Sequence, residues 1–174
     1  MTKLAVLLIV IALAAAGCGN SDSGSSGGTT TTPAKEALPG PVAEKHEAIV
    51  DAAHALDYDE LETLLDPKTF TYSFGEGGDP IGYWRRLEEE GELPILGDYL
   101  PTVLAMPWVK QGPIYVWPTA HAKEPAQWTE EDRKALEQLY TEEEIRKFEH
   151  AGSYLGWRVG IRKDGTWLFF VAGD

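Results

Sequence analysis

From Pro41 onward, Val42, Ile49, Val50, Ala53 and Leu56 recur at helical spacing, with Glu44, Lys45, Glu47 and Asp51 on the other faces, which predicts an amphipathic helix. Asp57, three residues ahead of Glu60, has the form of a capping box and opens a second short helix through Leu61, Leu64 and Leu65, ended by Asp66-Pro67. Thr69 to Phe74 alternates so that Phe70, Tyr72 and Phe74 share one face, the pattern of a strand. After the loop Gly75 to Gly78, Asp79-Pro80 supplies an N-cap and a proline for the first helical position, followed by Ile81, Tyr83, Trp84 and Leu87. Leu93 to Pro107 reads as a short helix interrupted at Pro101.

Trp108-Val109-Lys110 and Ile114 to Trp117 read as strands around the turn Gln111-Gly112-Pro113, and Pro118 closes the second. Thr119 to Gln127 is irregular. Thr129 and Thr141 each precede three acidic residues and open helices carrying Leu136, Leu139, Tyr140, Ile145 and Phe148. Their charge suggests a surface insertion. Tyr154 to Arg162 and Thr166 to Ala172 flank Lys163-Asp164-Gly165, and Asp-Gly between two such runs predicts a hairpin. A two-residue turn would pair Ile161 with Leu168, Val159 with Phe170 and Trp157 with Ala172 on the core face. The other face would then pair Arg162 with Trp167, Gly160 with Phe169 and Arg158 with Val171, with a guanidinium able to lie over the indole.

The chain has 174 residues, a formal net charge of −13 and one cysteine. So acidic a balance works against nucleic acid as a partner, because phosphate binding needs clustered Lys and Arg. Behind Lys3, the apolar run Leu4 to Ala16 is too short to span a bilayer and matches the h-region of an export signal. Ala15-Ala16-Gly17-Cys18 resembles the lipobox of bacterial lipoproteins, with Ala15 where that pattern usually has Leu. The resemblance implies a diacylglycerol on Cys18, cleavage of 1–17, and anchorage on the extracytoplasmic face of the cell membrane. An ordinary cleaved signal with an unmodified Cys18 is the alternative. Residues 18–38, rich in Gly, Ser and Thr, read as a disordered stalk. Residues 39–174 read as one α+β domain with a helical insertion near 119–152.

The order helix, short helix, strand, helix, then strands ending in the hairpin Trp157 to Asp174 is similar to the nuclear transport factor 2-like superfamily, which includes the ketosteroid isomerase-like and SnoaL-like proteins. That resemblance implies a bent antiparallel sheet packed on N-terminal helices as a cone, whose mouth takes a small molecule in some members and which is not catalytic in many. The segment Thr119 to Gly152 departs from the compact pattern and would lid or block the mouth.

His46, His54, His121 and His150 are scattered without zinc-ligand spacing, and no nucleophile elbow, phosphate loop or EF-hand loop occurs. No cofactor is implied. Isomerase-like chemistry would need a carboxylate and hydroxyl donors, for which Tyr72, Asp79 and Tyr83 are nearest, although Asp79 is better explained as a helix cap. Six tryptophans and seven tyrosines either fill a core or line a pocket. Tyr72, Trp84, Trp117 and Trp167 are the candidate ligand-binding aromatics, and Arg158 the group to orient an anion. The expected function is non-enzymatic binding of a small molecule at the bacterial envelope. An isomerase or cyclase, and a protein-interaction or structural module for an envelope protein, are the alternatives.

Overall fold

The structure, a computed structural model, describes residues 37–73 and 78–173. The signal segment, Cys18, nearly all of the predicted stalk and Phe74 lie outside the described residues. Helix α1 (Gly40–His54) starts with Pro41 in its first turn and buries Val42, Ile49, Ala52 and Ala53. Helix α2 (Tyr58–Thr63) is capped by Asp57, whose carboxylate accepts from the Glu60 amide. Strand β1 keeps only Thr71–Tyr72, shorter than its alternation predicts. Asp66 accounts for this, because its carbonyl accepts the Thr69 and Phe70 amides and turns the chain up to that point. Asp79 caps α3 (Pro80–Glu89) through the Gly82 amide.

The predicted break at Pro101 is absent. A π-helical turn, Ile95–Tyr99, closed by the Leu100 amide on the Ile95 carbonyl, runs directly into α4 (Leu100–Ala105), so Pro101 stands in a continuous helical run just after the widened turn. Strands β2 (Val109–Gln111) and β3 (Ile114–Trp117) form the predicted hairpin over Gly112 at φ +59. Capping boxes at Thr129 and Thr141 start α5 (Glu130–Leu136) and α6 (Glu142–Ala151), and Gly152 ends α6 in the left-handed conformation. Strands β4 (Arg158–Arg162) and β5 (Trp167–Val171) close the chain.

The protein is thus α+β, with a five-stranded mixed sheet in the order β1-β5-β4-β3-β2. Only the β1–β5 pairing is parallel. Helices α1 and α4 pack on one face through Val159, Ile161, Tyr115 and Trp117.

The parallel β1–β5 pair departs from the expected antiparallel sheet, and two further expectations are corrected. In the closing hairpin, Arg158–Val171, Val159–Phe170 and Gly160–Phe169 pair as predicted, but Ile161 meets Trp167 instead of Leu168. The turn has three residues, with Arg162 accepting from Gly165 and donating to Thr166, and a bulge at Leu168 restores the register. Trp167 therefore turns inward and is 1% exposed, while the Arg162 guanidinium binds Asp164 and Thr166 instead of covering an indole. The segment 119–152, expected on the surface, is part of the core: Trp128, Leu136, Ile145 and Phe148 are buried in the same cluster as Val159 and Phe170. The acidic residues that open its helices face solvent, Asp132 excepted, while its apolar stripes face inward, which composition alone does not reveal.

Candidate functional site

The aromatic candidates separate from the arginine. Trp84, Trp117 and Trp167 are at most 1% exposed. Trp84 meets Phe70, Tyr72 and Phe170 edge to face, with ring centroids 5.8, 6.0 and 5.5 Å away. Trp117 stacks on His46 of α1 at 5.2 Å, and the His46 Nε2–H donates to the Leu104 carbonyl. These rings fill the space between helices and sheet, where the expected pocket would lie, and they line neither of the hollows described below. Tyr72 is half-buried against Tyr83 and Trp84 on the same core side. Burial, then the charge of Asp79, raises its phenol above the usual range.

Arg158 alone of the five lies at an open site, on the opposite face of the sheet. It is at the start of β4, one residue out of phase with buried Val159, so alternation turns it away from the core beside its partner Val171. The next pair on that face is Gly160 and Phe169, and the Phe169 ring occupies the space over the glycine that any β-carbon would need. Thr71 continues the row on β1.

The backbone just before Arg158 is held by phenols from the 119–157 region. Trp157 N–H donates to Tyr140 Oη at 2.7 Å, and Tyr154 Oη donates to the Trp157 carbonyl at 2.8 Å. Burial pushes the Tyr140 phenol up to about 12, so it stays a neutral hydrogen-bonding group. The insertion thus positions Arg158. The guanidinium itself donates from Nη2 to the Gly173 carbonyl at 2.6 Å, while Nε is buried without a protein partner. Among the described residues, no carboxylate lies within ion-pair distance of Arg158.

Beyond cis-Pro118, a 3₁₀ turn (Thr119–Ala122) carries His121 to the same place. His121 Nε2 and Gln111 Oε1 are 3.3 Å apart. Burial, and then the charge of Arg158, lowers the imidazole below the usual histidine range, so it is neutral at pH 7. Lys123, two residues on, donates to Asp132 Oδ2 at 2.5 Å, and the same oxygen accepts from the Thr129 amide and hydroxyl. Burial alone would raise the Asp132 carboxyl, but the hydrogen bonds from Lys123 and Thr129 outweigh it and hold the group below the usual range. The Lys123 charge is consumed in that pair.

Two adjoining hollows result. One, about 510 Å³, has a lining of mixed polar and apolar surface and includes Gln111, His121, Lys123, Glu124, Ser153 and Arg158. The other, about 280 Å³, is lined by Thr71, Phe169 and Val171 together with the same His121 and Arg158. Both are close to the size range of small-molecule sites. Among the described residues no three potential metal ligands come together, and no hydroxyl is hydrogen-bonded to a histidine. Asp79, the nearest isomerase-type carboxylate, is engaged as the cap of α3. The arrangement can hold an anion beside an apolar group.

Sequence reasoning placed Arg158, Val171 and Phe169 together on the outer face but missed His121 and Gln111 as neighbours of the arginine. The alternation of β5 carried the signal for Phe169; nothing local placed the irregular 119–124 segment over β4. Compared with protein-family models, curated proteins and solved structures, the chain matches none.

Proposed function

We propose that the chain is a lipid-anchored protein of the bacterial envelope, tethered on the extracytoplasmic face by a diacylglycerol on Cys18 and bearing a non-enzymatic small-molecule-binding domain. The anchor rests on the sequence of the first 18 residues; among the described residues, no helix is long and apolar enough to cross a membrane. The binding reading is carried by one observation, the half-buried Arg158 guanidinium with no carboxylate partner among the described residues, at the junction of two hollows. A partly buried cation with no carboxylate partner among the described residues is stabilised when an anion occupies the hollow beside it.

The element order and closing hairpin support a domain of the nuclear transport factor 2-like type. Its cone interior is filled by the protein's own rings, so the ligand is taken on the outer face of the sheet. The interaction-module reading has less support, since Leu56 is the only exposed large apolar side chain among the described residues. The isomerase or cyclase reading draws on one observation, the neutral His121 beside a fixed cation.

Native mass spectrometry of the full chain, purified from its own host in lipid nanodiscs, tests the binding reading. A retained small molecule that is lost in Arg158→Met is the expected result. An empty protein that instead carries a stoichiometric protein partner overturns it, and conversion of the retained molecule, abolished by His121→Gln, would establish the enzyme.

A further inference from the structure

We infer that the ligand is a small amphiphilic monocarboxylate, its head held at Arg158 and His121 and its apolar tail lying along Phe169, Val171 and Thr71. The inference rests on the binding reading above and specifies the chemistry of that same site.

The head is anionic because, among the described residues, Arg158 is the cation at the junction that no carboxylate pairs within ion-pair distance. Lys123 is consumed by Asp132, and Glu124 on the rim adds a negative charge that repels a second anionic group. The neutral His121 ring adds a hydrogen-bonding group without a second charge. One guanidinium with its Nη2 already bound to Gly173 suits a single carboxylate, not a dianion.

The tail is apolar because the smaller hollow shares Arg158 and His121 with the larger one and is otherwise walled by Phe169, Val171 and Thr71. Its volume of about 280 Å³ bounds the tail to a short chain or a single ring. The net charge of −13 favours a free acid over docking on an anionic lipid surface, which would repel the domain.

Calorimetry on the full chain in phosphatidylcholine nanodiscs, with empty discs as reference, tests this with octanoate, octanol and acetate. Octanoate is expected to bind about tenfold or more tighter than either octanol or acetate, the discrimination a charged hydrogen bond and a buried tail each supply. Arg158→Met should abolish the preference over octanol, and Phe169→Ala the preference over acetate. Should Arg158→Met fail to fold, Arg158→Lys, which keeps the charge, should retain the order octanoate over octanol with weaker binding.

Equal binding of octanoate and octanol overturns the anionic head, and equal binding of octanoate and acetate overturns the tail, while the binding site itself stands. If no probe binds but the host-purified protein retains a molecule of other chemistry, the ligand class fails alone. If no probe binds and nothing is retained, the binding reading fails with it. Octanoate binding that is lost when anionic lipid is added to the discs assigns the site to a membrane lipid and overturns the free acid.

Discussion

The Phe169 ring lies over Gly160, its cross-strand partner, in the space a β-carbon at position 160 would fill. The contact lets β4 and β5 pair closely while the ring forms a wall of the apolar hollow. Gly160→Ala should displace the ring and destabilise the protein by about 1 kcal/mol, since the strain of overpacking is partly offset by the lower chain entropy of alanine. Urea denaturation of the single variants and of Gly160→Ala/Phe169→Ala checks it. The double variant should be more stable than the sum of the two single effects implies.

Trp157 and Phe170 stack with centroids 4.5 Å apart and planes at 28°, and Trp157 is 5% exposed. Trp157→Ala should cost about 3 to 5 kcal/mol. A loss below about 1 kcal/mol in chemical denaturation would place that face outside the core.

Leu56 ends α1 in the left-handed region at φ +54 and is 60% exposed. Its own amide bonds to Ala53 and the Asp57 amide to Ala52, a helix end that glycine ordinarily completes. Leu56→Gly should stabilise the protein by about 0.5 to 1 kcal/mol, because the steric cost of a β-carbon there is removed and little apolar area is lost. A lower melting temperature would contradict this.

His121 faces Arg158 from β4, Gln111 from β2, and Lys123 and Glu124 on its own segment. Burial, and then the charge of Arg158, lowers its pKa in the folded protein below that of a free histidine, so the unfolded chain binds the proton more tightly. The stability this contributes is complete above about pH 6.5 and is lost as pH falls toward the folded value. The wild type should therefore lose stability relative to His121→Gln between about pH 7.5 and about pH 5 in paired urea titrations. Anion binding at Arg158 should shrink that difference, because it offsets the positive charge that disfavours the imidazolium.

Cys18→Ala should abolish labelling of the protein by a fatty-acid probe in cells and release it from the membrane fraction. Persistent labelling would refute lipidation at Cys18.

Much of the fold was legible because the interactions that set it are local. Asp57, Asp79, Thr129 and Thr141 cap their helices through amides three residues away, and alternation put Val159 and Phe170 on one face and Arg158 and Val171 on the other. Such signals are carried by neighbours in the chain and survive without tertiary context. The inward turn of Trp167 was not legible. It depends on a bulge at Leu168 that offsets a three-residue turn, and either register satisfies the local pattern. The filling of the interior by Trp84, Trp117 and Trp167 likewise follows from how the helices close on the sheet, because an aromatic residue has the same sequence signature whether it packs a core or lines a pocket. The site was decided at that same level. Arg158 is one position in an alternating strand, and it becomes part of a site only because the segment after Pro118 brings His121 to the same hollows and Tyr140 pins the backbone before it, placements that join residues far apart in the chain.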